Sequence, residues 1–159
     1  MKKIALIADG WKRFVTYSWV DGIIKQAESL GMDICLYYFS SNGNWSHDKK
    51  FNDGEYMIYS LPELDEFDGI IFDCSNMVDR EQIESIVGKL EQTRTPVVSI
   101  AYDTECFYYV GNDNKSLFTE MIDHLYKCHN CRSFVYAGGP EGQYENTVRL
   151  EAFKESMEG

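Results

Sequence analysis

Short, nearly continuous apolar runs alternate along this chain with longer stretches whose apolar residues recur every three or four positions. The runs fall at residues 3–8, 33–39, 69–73 and 96–101. They lack the polar alternation of a half-exposed sheet, which predicts strands covered on both faces of a parallel sheet. Between the first two runs, Val20, Ile23, Ile24, Ala27 and Leu30 hold helical spacing, so a helix is predicted from about Arg13, with Gly31 as its C-terminal cap. Between the last two, Asp79 and Gln82 have the spacing of a capping box, and Ile83, Ile86, Val87 and Leu90 form an apolar face. Residues 46–60 carry a weaker helical pattern. Ser46 is a candidate N-cap, Phe51, Tyr56 and Ile58 point to a core, Gly54 weakens the middle and Leu61-Pro62 stops it.

The pattern changes near Thr104. Residues 107–110 predict a short strand. Leu117, Met121, Ile122 and Leu125 predict a helix ending near Cys128. Residues 133–137 predict another strand, broken by Gly138-Gly139-Pro140, and a last helix begins near Tyr144 with Val148, Ala152 and Phe153. Strand and helix alternate throughout, without repeats or low-complexity tracts. The expected fold class is α/β, a parallel sheet flanked by helices and joined by right-handed crossovers.

Composition narrows the function classes. Hydrophobic residues make up 44% of the 159, enough for a packed core. The formal net charge of −11 would repel phosphate backbones and anionic lipid, and no basic stripe offsets it. Direct nucleic-acid and membrane binding are therefore not expected. The apolar run after Met1-Lys2-Lys3 is too short for a secretory signal, so a cytoplasmic location is expected. Cys35, Cys74, Cys106, Cys128 and Cys131 are odd in number and scattered, and read as reduced thiols.

Open parallel sheets bind ligands beyond the carboxyl ends of their strands. The predicted ends carry Asp9 with Gly10-Trp11, Ser40-Ser41, Asp73-Cys74-Ser75 and Tyr102-Asp103. Trp11, Arg13, Phe14 and Tyr17 follow the first of them. Rings that cover apolar faces beside carboxylates that take hydroxyls suit a sugar or another polyol. Single Asp residues also serve as helix caps, but Asp9, Asp73 and Asp103 at three equivalent positions point to a shared site. Cys128-His129-Asn130-Cys131 is a lone CxxC. With His124 it offers three possible zinc ligands, yet a helix end with Asn130 as left-handed cap accounts for the same residues. No metal or cofactor is expected. The glycines at 138, 139 and 142 lack P-loop and dinucleotide spacing. A phospho-acceptor receiver would match Asp9 and Asp73, but neither a second acidic residue after the first strand nor a Lys at a fifth strand end is present.

Taken in order, these features resemble the effector-binding domain of the lac-repressor/gal-repressor family, which shares the periplasmic-binding-protein fold. The resemblance rests on residues 4–8 with the aromatic loop 11–17, on Phe67-Asp68-Gly69-Ile70-Ile71 and on Thr95-Pro96-Val97-Val98-Ser99-Ile100. It continues through Val110-Gly111-Asn112-Asp113-Asn114 and Phe134-Val135-Tyr136-Ala137-Gly138-Gly139-Pro140 to Arg149 with Ala152-Phe153. It implies a type I periplasmic-binding-protein-like fold, with residues 1–104 as the first lobe and 105–159 as the start of a second. It implies a non-catalytic sensor for a small-molecule effector. Ligand contacts carried over by position are Asp9, Trp11, Phe14, Asp73, Tyr102, Asp103 and Arg149, the last as a guanidinium clamp.

The resemblance also sets expectations about assembly. The family's helix-turn-helix has no counterpart in this sequence, so the output domain, a helix-turn-helix or a diguanylate cyclase, is expected outside it. The second-lobe segment is small for a core, so exposed apolar surface and a homodimer are expected. The competing reading is a doubly wound enzyme using a strand-end Asp.

Overall fold

A computed structural model describes residues 1–10, 14–41, 46–75, 77, 79–100, 102–139 and 143–158. Two compact units divide the chain, Met1–Val110 and Gly111–Gly159. In the first, strands β1 (Lys2–Asp9), β2 (Ile34–Ser41), β3 (Gly69–Asp73), β4 (Val97–Ile100) and β5 (Tyr108–Val110) form one sheet in the order β2-β1-β3-β4-β5. Every pairing is parallel. The apolar runs thus become the strands that the pattern predicts. The short strand predicted at 107–110 adds to the same sheet, which carries the first unit to Val110.

Helix α1 (Phe14–Ser29) joins β1 to β2. Helix α2 (Lys49–Tyr56) and the 3₁₀ turn Met57–Ser60 lead toward β3, and α3 (Arg80–Leu90) joins β3 to β4. Right-handed crossovers in this order put α1 on one face and α2 and α3 on the other. The face toward α2 and α3 holds the main core: Ala5, Ile7, Ile70, Phe72 and Val97 from the strands meet Tyr56, Tyr59, Ile86 and Leu90. Gly31 ends α1 as the sequence predicts. Its φ of 64° is the left-handed conformation, and the Gly31 and Met32 N–H groups donate to the Glu28 and Ala27 carbonyls, the paired bonds of a Schellman cap.

Two local expectations are corrected. The N-cap of α2 is Asp48, whose side chain accepts from the Lys50 N–H, and not Ser46. Ser46 instead accepts from the Asp48 N–H and so positions the cap. Phe51 is exposed, whereas Tyr56 is buried and Ile58 packs against the core as expected, with Tyr59 added to them.

At the amino end of the sheet, acidic side chains fasten loops. Asp68 pairs with Lys2 at 2.7 Å and accepts from the Lys3 N–H at 2.8 Å. Asp65 accepts from the Thr93 hydroxyl and the Arg94 N–H. Both carboxyls are held below their ordinary range, chiefly by the side-chain bonds from Lys2 and Thr93.

The second unit packs α4 (Asn114–Cys128) against α5 (Tyr144–Glu158). Tyr136 lies between Phe118 and Phe153 at 5.8 and 5.4 Å, and Ile122 and Ala152 are buried. The Asn146 side-chain oxygen accepts from the Tyr136 hydroxyl and from the Gly139 N–H. Residues 133–137 are not a strand, contrary to the sequence pattern. A strand needs a ladder partner, and no strand is found among the described residues of this unit; Val135 is 95% exposed. Leu117, Met121 and Tyr126 on α4 are also exposed, the apolar surface expected for this segment.

Candidate functional site

The sheet order reverses direction at β1. The chain moves from β1 outward to β2, then returns past β1 to β3. In open α/β sheets a crevice forms at this switch point, beyond the carboxyl ends of the two central strands. Asp9 ends β1 and Asp73 ends β3, so both predicted carboxylates flank that place. Both are almost fully buried, at 1% and 2% exposure.

The strand register separates them. Asp9 pairs with Ser41, whereas Asp73 pairs with Ala8 and Ile100. Side chains alternate between faces along a strand. Asp9 therefore shares a face with Phe39, Ser41 and Phe72, over α2 and α3, while Asp73 shares the opposite face with Ala8, Tyr38 and Ser40. Together they border this end of the sheet from its two faces.

On the Asp9 side, the Ser41 hydroxyl donates to Asp9 Oδ1 at 2.5 Å. The Tyr59 hydroxyl donates to the Ala8 carbonyl at 2.9 Å and accepts from the Ser41 N–H at 3.1 Å, tying the ends of β1 and β2 together. Gly10, at φ 79°, turns the chain out of β1; its N–H donates to the Ser41 carbonyl and its carbonyl accepts from the buried Thr16 hydroxyl. Burial, with Asp9 adding to it, pushes the Tyr59 phenol well above its ordinary value and the Tyr56 phenol up to about 12. These phenols stay neutral beside the carboxylate.

On the other side, Asp73 Oδ1 accepts from the Ser75 N–H at 3.0 Å. Tyr38 is raised by burial, with the hydroxyls of Ser40 and Thr16 pulling the other way and Asp73 and Asp9 adding to the rise. Next to Asp73, burial pushes the Cys74 thiol up to about 12, and the neighbouring carboxylate contributes.

The remaining predicted residues are placed as follows. Tyr102 is half-buried and meets Phe72 edge to face at 6.4 Å, so its ring packs on the core. Asp103 is exposed, three residues beyond the end of β4. Phe14, the first residue of α1, is 85% exposed. Trp11 and Arg13 lie outside the described residues. Arg149 belongs to the second unit, where its Nε donates to Asn114 Oδ1 at 2.9 Å and a terminal nitrogen meets Glu145 at 3.2 Å. The sequence pattern marks Ser40 and Ser41 only as a strand end and does not single out Tyr59. A tyrosine three residues after Tyr56 was the available signal.

No protein-family model matches the chain, and no curated relative is found. Solved structures do match, and they define the class: this is a type I periplasmic-binding-protein-like fold. A sugar-binding protein of an ABC transporter from Bacillus halodurans superposes with a TM-score of 0.73 and 14% identity, over 100% of this chain and 52% of its own. The lac repressor dimer bound to operator and an anti-inducer gives 0.69 at 11% identity, over 98% and 50%. A periplasmic binding protein/LacI transcriptional regulator from Alkaliphilus metalliredigens, complexed with D-xylulofuranose, gives 0.63 at 18%, over 99% and 53%. The chain thus spans about half the length of the structures it matches. These neighbours are binding proteins and repressors. No helix of the described residues is long and apolar enough to cross a membrane.

Proposed function

We propose that this chain carries a non-catalytic binding site for a small hydroxylated effector, a sugar or a similar metabolite, and serves as the sensor of a bacterial transcriptional regulator or signalling protein. The observation that carries this reading is the pair of buried carboxylates, Asp9 and Asp73, at the β1 and β3 ends that flank the switch point. Carboxylates accept hydroxyl hydrogens strongly in a shielded setting. The exposed Phe14 and Asp103 would supply a ring and a further acceptor. Trp11 and Tyr102 join the proposed contact set by the family resemblance. The matched structures include sugar-binding members of both regulators and transporters.

Five free thiols support a cytoplasmic setting and hence the regulator over the transporter role. In that role the output domain is a helix-turn-helix or a cyclase module, and exposed Leu117, Met121 and Tyr126 support a homodimer. A melting-shift screen against monosaccharides, polyols and phosphorylated sugars tests the proposal. A shift that disappears in Asp9→Asn and Asp73→Ala, without turnover of the ligand, is expected. Product formation from the bound ligand, or acyl-phosphate on Asp9 or Asp73, would overturn it.

A further inference from the structure

We infer that His124 and His129 form a two-histidine chelating site for a divalent transition-metal ion, on the second unit and independent of the effector site proposed above. Their Nε2 atoms stand 3.1 Å apart, with ring centroids at 4.9 Å. Two nitrogens bound to one ion at about 2.0–2.1 Å lie roughly 2.9–3.4 Å apart for ligand angles between square and tetrahedral. The spacing is therefore that of a chelate before any ion arrives.

The backbone sets this geometry. His124 lies in the last turns of α4, and His129 is the residue at its C-terminal cap. Asn130 takes the left-handed conformation at φ 56°, as the sequence predicted, and the Cys131 N–H then donates to the Leu125 carbonyl at 3.1 Å. This folds the exit from the helix back along its own last turns and turns the His129 ring toward His124. Both rings are exposed, so they are open to an ion from solvent. Sequence spacing groups His124 with Cys128 and Cys131, whereas the structure pairs it with His129.

Two neutral imidazoles at this distance can also share one hydrogen bond, which uses one lone pair and one N–H. A metal ion uses both lone pairs, and that difference is testable. Among the described residues no group of three or more His, Cys, Asp or Glu is gathered for a metal. Water therefore completes the coordination shell, and affinity is modest. An imidazole pair favours nickel, copper or zinc over magnesium or calcium, and the net charge of −11 draws cations to the surface.

The experiment is a calorimetric titration of the tag-free, fully reduced chain with Ni²⁺, together with NMR of its histidine rings. Ni²⁺ is expected to broaden the ring signals of His124 and His129 and to spare His47, which serves as internal control on the unaltered protein. His124→Ala and His129→Ala should each weaken binding more than the roughly 10–100-fold that follows loss of an outer-shell partner, while Cys128→Ser with Cys131→Ser should retain it. Equal broadening of all three histidines, binding that survives both histidine changes, or binding abolished only by the cysteine changes would overturn the inference.

Discussion

The hydroxyl of Tyr59 donates to the carbonyl of Ala8 at 2.9 Å, and through its second bond, from the Ser41 N–H, it clamps the ends of β1 and β2 beside Asp9. Removing it leaves two buried backbone groups without this partner, and an unsatisfied buried group costs about 1–3 kcal/mol. Tyr59→Phe is therefore expected to lower the unfolding free energy by roughly that amount, measured by urea denaturation. An unchanged midpoint would mean that water or another group replaces the clamp.

Asp9 and Ser41 form the second test of this corner. Ser41→Ala deletes the hydroxyl that donates to Asp9 and leaves a buried carboxylate with one donor fewer. Because bonds to charged groups contribute about 1.5–3 kcal/mol, the variant should be destabilised on that scale, and Asp9→Asn should relieve part of the loss in the double variant. Additive losses would show that the two side chains are not coupled.

How far the chain discloses this arrangement depends on whether a feature is local. Continuous apolar runs located β1, β3 and β4, and helical spacing with Asp79 located α3, because each signal lies within one element. Asn130 as a left-handed cap was likewise local. The facing of Asp9 and Asp73 was not legible, since it is set by the register between strands and a shift of one residue reverses it. Residues 133–137 looked like a strand by composition, but a strand exists only with a partner. Tyr59 was hidden because its role is to bond backbone far away in sequence. The pairing of His129 with His124 is not legible in the sequence because it follows from the turn after the helix.

Gly31 carries a backbone prediction. At φ 64° a side chain is strained even where space is open around it. Gly31→Ala should cost about 1–2 kcal/mol, read as a lower melting temperature with the same ligand response. A neutral or stabilising result would indicate that the Schellman cap rearranges.

Thiol chemistry and alkaline stability test the buried side of the site. Cys74 is protonated in the fold because burial raises its thiol to about 12, whereas an unfolded cysteine ionises near ~8.5. The folded value is the higher one, so this contribution is fully present below the unfolded value and is lost as pH rises through the folded one. Stability should fall between about pH 8.5 and 12, with Tyr56 adding above its own unfolded value. In native protein at neutral pH, Cys106 and Cys128 should react with a thiol reagent first and Cys74 last. Early labelling of Cys74 would contradict its burial.

Acid titration probes the opposite end of the sheet. Asp65 and Asp68 are depressed in the fold, so their contribution is present above the ordinary carboxylate range and is lost as pH falls through the depressed values. Asp68→Asn should flatten the acid limb of the stability profile while leaving ligand binding unchanged. A loss of binding would move the functional end of the sheet.

The central claim, that an effector is held at the carboxyl ends of β1 and β3, is tested most directly by amide NMR during titration with a ligand found in the sugar and polyol screen. The largest shifts are expected at Gly10, Ser41 and Ser75 and should vanish in Asp9→Asn, while amides of Lys3, Asp68 and Arg94 at the other end stay still. Shifts concentrated at the amino end, or a binding response that persists with both Asp9 and Asp73 replaced by Asn, would contradict it.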